Sequence, residues 1–247
     1  MKTALKALAL LGAWLATAPS VSAQPALLGT TEFRAPSLAA LPQWQQALQR
    51  IETERSTYRA CANPRGDCPS RGAAAWQQMI REQGGRAPLE QLDAVNRFLN
   101  NWRYKEDAAN YGRRDYWATP LEFFLRSGDC EDYAIAKYVT LRELGFSAEA
   151  LRLVVVQDVV RDLAHGVLAV YLDDRVYILD NLTRTVEPQE QMAQYVPYYS
   201  INETTRWAHV TPVRTLVSSS ASRNTPTAAA PGRRAAPGDA CDSRADH

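Results

Sequence analysis

The chain has 247 residues, with 28 Lys and Arg against 27 Asp and Glu and a formal net charge of +1. That balance offers no electrostatic grip on a polyanion, so it excludes nucleic acid as a partner of the whole chain on charge grounds. The first 23 residues read as a secretory signal peptide. Lys2 and Lys6 give a basic start, Ala7 to Ala18 is apolar, and Val21-Ser22-Ala23 supplies small residues before a cut ahead of Gln24. The apolar run is too short for a good membrane span. The mature chain is therefore expected in the periplasm or beyond, with no membrane insertion of its own. Export permits disulfides. Cys61 and Cys68 flank a short Pro/Gly loop and are expected to pair, which leaves Cys130 as a free thiol and Cys241 in the tail without an assignment.

Residues 24–40 read as an extended lead-in. Pro42 to about Ala60 has helical spacing, with Trp44, Leu48, Ile51 and Tyr58 near one stripe. A second helix runs from about Gly72 to Gln83 and stops at Gly84-Gly85. A third starts at Pro88, with Leu89, Leu92, Val95, Phe98, Leu99 and Trp102 as its apolar face. Residues 103–119 form a long polar and aromatic loop, a kind often functional in compact domains. Thr119-Pro120 reads as an N-cap followed by Pro in the first turn of a short helix that breaks at Ser127-Gly128. The next helix, about Cys130 to Leu144, is apolar nearly all round and is therefore central.

Strands follow: Leu151 to Val156, Gly166 to Leu172 and Val176 to Leu179, with Asp173-Asp174 as a two-residue hairpin turn. Extended stretches at Tyr195 to Ile201 and Trp207 to Val213 complete the set. Residues 216–247 are rich in Ser, Ala, Pro and Arg and read as a disordered tail. Helices first and strands later indicate an α+β fold with an antiparallel sheet, in one domain over residues 41–215.

Cys130 stands in the first turn of the central helix, where the dipole and the unpaired N–H groups favour a thiolate. In the hairpin, Leu172 pairs with Arg175, which sets Val167 opposite Asp180. His165 then shares a face with Asp180, one diagonal away. A one-residue slip of register would separate them. A Cys, a His and an Asp so placed suit acyl chemistry: thiolate attack, protonation of the leaving amine by imidazolium, and a carboxylate that fixes the ring. The backbone N–H of Cys130 is a candidate oxyanion donor. Each residue also has a plain structural reading, as buried hydrophobe, satisfied polar group and turn, and spacing alone leaves both readings open. Asp129, Glu131 and Asp132 raise a second question. Three carboxylates in four residues suit a hard cation, or simply a helix N-terminus that favours acids. The absence of CxxC and HxxH argues against zinc.

The blocks Trp117-Ala118-Thr119-Pro120-Leu121-Glu122, Gly128-Asp129-Cys130-Glu131-Asp132-Tyr133-Ala134, Leu151-Arg152-Leu153-Val154, His165-Gly166-Val167-Leu168 and Leu179-Asp180-Asn181 stand in one order over about residues 40–210. In these the chain resembles the bacterial transglutaminase-like cysteine peptidases, and among them those that clip a surface adhesin from the periplasm. The resemblance implies a papain-like fold in its transglutaminase form, a helical lobe packed on an antiparallel sheet. It places the catalytic cysteine on Cys130 at the N-terminus of the central helix, with the histidine on His165 and the aspartate on Asp180. It implies calcium, Ca2+, held by Asp129, Glu131 and Asp132, with Glu149 as a further candidate. The implied substrate is the N-terminal region of a large surface adhesin, whose release disperses a biofilm. The implied regulator is an inner-membrane cyclic di-GMP receptor that sequesters the protease. Gly166 departs from the pattern, which tends to have another small or apolar residue after the histidine. Two competing readings use the same features: a transglutaminase-type acyl transferase, and a non-catalytic periplasmic binding module that would need none of the three residues.

Overall fold

A helix runs through the middle of the chain's tertiary structure, a computed structural model that describes residues 24–63 and 66–212. This is α6, Cys130–Glu143, and every residue from Cys130 to Leu141 is buried. A helix with no polar stripe cannot sit at a surface, so the rest of the chain wraps it. Among the described residues five α-helices precede it: α1 (Pro42–Ala60), α2 (Arg71–Gln83), α3 (Pro88–Leu99), α4 (Asp107–Tyr111) and α5 (Pro120–Arg126). Trp44, Tyr58, Trp76, Leu92 and Leu99 from this lobe are fully buried. Each such side chain contributes about 1.5–3 kcal/mol by leaving water. Their polar ends are satisfied across elements: Trp76 Nε1 donates to Thr140 Oγ1 at 2.8 Å and Trp44 Nε1 to the carbonyl of Asn202 at 2.8 Å. The Cys61–Cys68 disulfide closes the turn after α1.

The other layer is a seven-stranded antiparallel sheet in the order β1-β7-β6-β2-β3-β4-β5. Its strands are β1 (Thr31–Ala35), β2 (Leu151–Asp158), β3 (Leu163–Leu172), β4 (Arg175–Leu179), β5 (Glu187–Pro188), β6 (Tyr195–Ile201) and β7 (Arg206–Val210). The expected α+β class and antiparallel sheet are therefore present. One face, with Leu151, Leu153, Leu168, Val170, Leu179 and Ile201, joins the helical core. The opposite face, with Val154, Val156, Val167, Ala169, Tyr171, Val176 and Ile178, is covered by Leu27, Met192 and Tyr195.

Three local readings change. The lead-in is partly ordered: Thr31–Ala35 adds an edge strand by pairing with β7, which its own sequence does not signal. The loop at 103–119 holds the one-turn helix α4. Leu89 lies 48% exposed, because α3 turns only its Leu92, Val95 and Leu99 side into the core. Trp117 is buried, its ring 6.1 Å from that of Trp44. The signal peptide of residues 1–23, the tail of residues 216–247 and Cys241 lie outside the described residues. Among the described residues no helix is long and apolar enough to cross a membrane.

Candidate active site

The site begins with how the start of α6 is pinned. Thr119 and Glu122 form a capping box on α5, with Thr119 N–H donating to Glu122 Oε2 at 2.8 Å. That helix ends at Ser127, whose φ of 66° lies in a region unusual for a residue with a side chain. The strained turn is held from outside. Asn110 Nδ2 donates to the Ser127 carbonyl at 3.0 Å, and Lys105 N–H to that of Gly128 at 2.9 Å. Gly128 has no alternative, since a Cβ there would lie 2.1 Å from Asp132 Oδ2. Asp132 holds two backbone amides, Ala118 N–H at 2.6 Å and Asp129 N–H at 3.3 Å. Its carboxylate thus ties the entry of α6 to the loop before α5.

Cys130 is buried at the first position of α6. It is disulfide-bonded, so the expected free thiol is not what the structure holds. The sulfur must be reduced before it can attack. Gly166 N–H points at Cys130 Sγ from 3.0 Å. A Cβ on Gly166 would stand 3.3 Å from that sulfur and 3.2 Å from Glu131 N, tighter than ordinary contact, so the bare backbone eases the close approach of β3 to the helix.

His165 precedes Gly166 on β3. The hairpin register is the one expected, with Leu172 opposite Arg175 and Leu168 opposite Leu179, and a turn in which Asp173 and Asp174 both take positive φ. His165 Nε2 lies 2.9 Å from Asp180 Oδ1, and both residues are buried. Asp180 also accepts from Leu182 N–H at 3.0 Å and from the Tyr195 hydroxyl at 2.5 Å. Burial opposes its ionisation. The hydrogen bond and charge of His165, with those two donors, outweigh it and hold the carboxyl at about 2. From the helical lobe, Asn100 Nδ2 donates to the Asp180 carbonyl at 2.7 Å and to that of Thr183 at 2.7 Å. Lys137, on α6, is fully buried, and its amine has no hydrogen-bond partner among the described residues. Burial pushes it down to about 7, against the pull of Asp180. His209, the other described histidine, is held between Thr30 Oγ1 and Ser200 Oγ, each at 2.8 Å, on the far side of the sheet order.

The acids near Cys130 form a larger group than the sequence block. Carboxylate oxygens of Asp107, Asp129 and Asp132 lie within 4.8 Å of one another, and so do those of Asp107, Asp115 and Glu131. Asp107 is common to both. Asp107 Oδ1 and Asp129 Oδ1 are buried without a hydrogen-bond partner among the described residues. Two orphaned carboxylate oxygens facing a cluster of hard donors fit a divalent cation of the calcium type. Burial first, and then the neighbouring carboxylates, raise Asp129, Glu131 and Asp132 above the usual range, and Asp107 to about 6. Trp117 Nε1 and Gln43 Nε2 orient Asp115 at 2.8 and 2.9 Å. Glu149 lies elsewhere. It sits exposed in the turn Ala148–Ala150, beyond the far end of α6, and the helix separates it from the acids by about 20 Å at 1.5 Å per residue. Sequence reasoning missed Asp107 and Asp115, which stand in the long loop with no spacing that ties them to Cys130. It also missed Tyr195, one of several tyrosines of β6.

No curated protein matches the chain. Among solved structures, calcium-bound Legionella pneumophila LapG is similar, with a TM-score of 0.52 and 28% identity over 66% of this chain and 86% of that one. EGTA-treated L. pneumophila LapG is similar at a TM-score of 0.51 and 28% identity over 70% and 87%. The profile of the family described as bacterial transglutaminase-like cysteine proteinase matches residues 51–215. That match spans well over half of the sequence and contains Cys130, His165 and Asp180 together with all five clustered acids, and by it the chain belongs to the bacterial transglutaminase-like cysteine proteinases.

Proposed function

We propose that this cysteine protease is a calcium-dependent endopeptidase of the periplasm that cuts the N-terminal region of a large surface adhesin. Cutting releases the adhesin and disperses a biofilm. One observation carries the enzymatic reading: a buried His165–Asp180 pair whose next residue, Gly166, directs its N–H at Cys130 Sγ on the first turn of α6.

The chemistry follows from the residues. The reduced Cys130 thiolate, favoured by the N-terminus of α6 and the Gly166 N–H, attacks the scissile carbonyl carbon. The carbonyl π electrons move to oxygen, and the Cys130 N–H stabilises the oxyanion. As His165 Nε2 is engaged by Asp180, Nδ1 is the nitrogen that exchanges the proton with Cys130 and delivers it to the leaving amine. Water, deprotonated by the same imidazole, then hydrolyses the thioester and returns the thiol. Asp180 keeps the ring oriented throughout. Calcium held by Asp129, Glu131 and Asp132 with Asp107 and Asp115 would supply the positive charge that the buried acids beside Cys130 require. The calcium-bound and EGTA-treated states of the similar LapG support this. The adhesin substrate, and an inner-membrane cyclic di-GMP receptor as sequestering partner, rest on the resemblance of the sequence blocks.

The deciding experiment incubates the reduced mature protein with the N-terminal segment of a co-encoded large adhesin, in calcium or in chelator, beside Cys130→Ala. Calcium-dependent cutting by the parent alone is expected. Cutting by Cys130→Ala at the parent rate would end the cysteine mechanism, and cutting unaffected by chelator would end the calcium requirement. Incorporation of an added amine without hydrolysis would turn the reading to acyl transfer.

A further inference from the structure

Asp180 has two carboxylate oxygens, and they are divided between two sets of donors. Oδ1 takes the His165 imidazole at 2.9 Å and the Leu182 N–H at 3.0 Å, while Oδ2 takes the Tyr195 hydroxyl at 2.5 Å. Tyr195 is itself buried on β6, two strands away from β3 in the sheet order, and its ring centroid is 5.8 Å from that of His165. It reaches the pair from the face that the helices do not cover, beside Met192 and Leu27. A phenol so placed does two things that neither the hairpin nor α3 can do. Its O–H fixes the rotation of the carboxylate, which the bonds to Oδ1 leave free to pivot about the Cβ–Cγ axis. Its ring limits the swing of the imidazole. Burial, and then the charge and hydrogen bond of Asp180, raise the phenol well above the ordinary tyrosine range, so it stays a donor.

We propose that Tyr195 is a positioning residue of the catalytic apparatus, acting through Asp180 to hold the His165 ring in one orientation. This rests on the Cys130–His165–Asp180 reading above. The role differs from packing, because Phe at 195 keeps the ring and loses only the donor. The neutral O–H bonded to a buried carboxylate belongs to the stronger class of hydrogen bonds. Its loss has a defined target, the orientation of one side chain.

The test uses the full mature chain and Tyr195→Phe, Asp180→Asn and the double variant, with thermal melting as the check on folding. Two signals are read after mild reduction. One is the downfield proton NMR resonance of the His165 Nε2–H shared with Asp180. The other is the rate at which iodoacetamide alkylates Cys130 at pH 7, followed by mass spectrometry. Tyr195→Phe is expected to broaden or shift the resonance and to slow alkylation about tenfold. In the Asp180→Asn background the same change is expected to cost nothing further, since a residue acting through Asp180 has nothing left to act on. An unchanged resonance and an alkylation rate within twofold of the parent in Tyr195→Phe, with Asp180→Asn abolishing the resonance, would make Tyr195 packing only. An additive loss in the double variant would likewise overturn action through Asp180. If Asp180→Asn also leaves both signals unchanged, the triad reading itself falls, and the proposal with it.

Discussion

His165 and Asp180 lie 15 positions apart in sequence and meet with Nε2 2.9 Å from Oδ1, because a two-residue turn at Asp173-Asp174 puts them diagonally across one hairpin. The carboxylate is held at about 2 by donors it would not have in the unfolded chain. A carboxyl with a depressed folded pKa adds stability that is complete above its unfolded value and is lost as pH falls through the folded one. The window here is about pH 4 to pH 2, and the amount is on the order of 2 kcal/mol. Urea unfolding across that window is expected to show this loss in the parent and a flatter profile in Asp180→Asn. The same substitution is expected to lower proteolytic turnover about 10²–10⁴-fold, since an oriented base contributes that much.

The buried acids predict an opposite pH dependence when calcium is chelated. Asp107, at about 6, and the raised Asp129 keep protons in the folded chain that the unfolded chain has released. Stability is therefore expected to fall as pH rises from about 4 through 8 in chelator, Asp107 releasing its proton first and Asp129 later. Added calcium should reverse that trend. At a calcium concentration 100 times its Kd the gain is about 2.7 kcal/mol, which for a domain of this size is a rise in Tm of roughly 5–10 °C. Asp107→Asn and Asp129→Asn are expected to abolish most of the calcium-induced rise while leaving the chelated form folded. Differential scanning calorimetry with and without calcium checks this, and an undiminished rise in both variants would remove these two ligands from the site.

Lys137 carries a buried amine without a hydrogen-bond partner among the described residues. Its folded pKa of about 7 lies below that of an exposed lysine. The folded chain resists protonation there, so stability is expected to decline as pH falls from about 10 to 7, by a few kcal/mol. Lys137→Met keeps the volume and removes the charge. It is expected to raise Tm at pH 7 and to flatten that decline, because Asp180 retains His165, Leu182 and Tyr195 as donors. A fall in Tm at pH 7 would mean that the ammonium contributes more to Asp180 than burial costs.

Cys130 is held in a disulfide. Oxidised protein is expected to be inactive and to take up no iodoacetamide at Cys130. Dithiothreitol should restore both properties together. Activity that is full before reduction would contradict a disulfide on the nucleophile in solution.

Asn100 joins α3 to the loop after β4 through two bonds of 2.7 Å, to the carbonyls of Asp180 and Thr183. Asn100→Ala is expected to cost about 1–3 kcal/mol by taking this donor from the carbonyl of the buried Asp180, while that of Thr183 keeps Asn96 Nδ2 at 3.0 Å, and so to lower Tm by about 2–10 °C. Because the loop carries Asp180, turnover should fall more than substrate affinity, which steady-state kinetics at matched folded fractions would separate.

The sequence by itself determined the central helix, since apolar residues on every side leave it no exposed position, and the caps and glycines that bound the elements. It also determined the β3–β4 pairing. Strand side chains alternate strictly, and a two-residue turn allows one register, so the approach of His165 to Asp180 could be worked out from position alone. What tertiary structure decided lay in groups that meet without local order. Asp107 and Asp115 come to the acids of the Cys130 block through the path of a loop, and a loop's path follows from what it packs against, here Trp117 on Trp44 and Gln43 on Asp115. Tyr195 reaches Asp180 through the order of strands in the sheet, which no spacing within β6 contains. Gly166 looked like a departure from a motif. The fold gives it a physical use, because a Cβ there would stand 3.2 Å from Glu131 N and 3.3 Å from Cys130 Sγ, tighter than ordinary contact, and the bare backbone lets β3 set its N–H at 3.0 Å from the sulfur without that crowding.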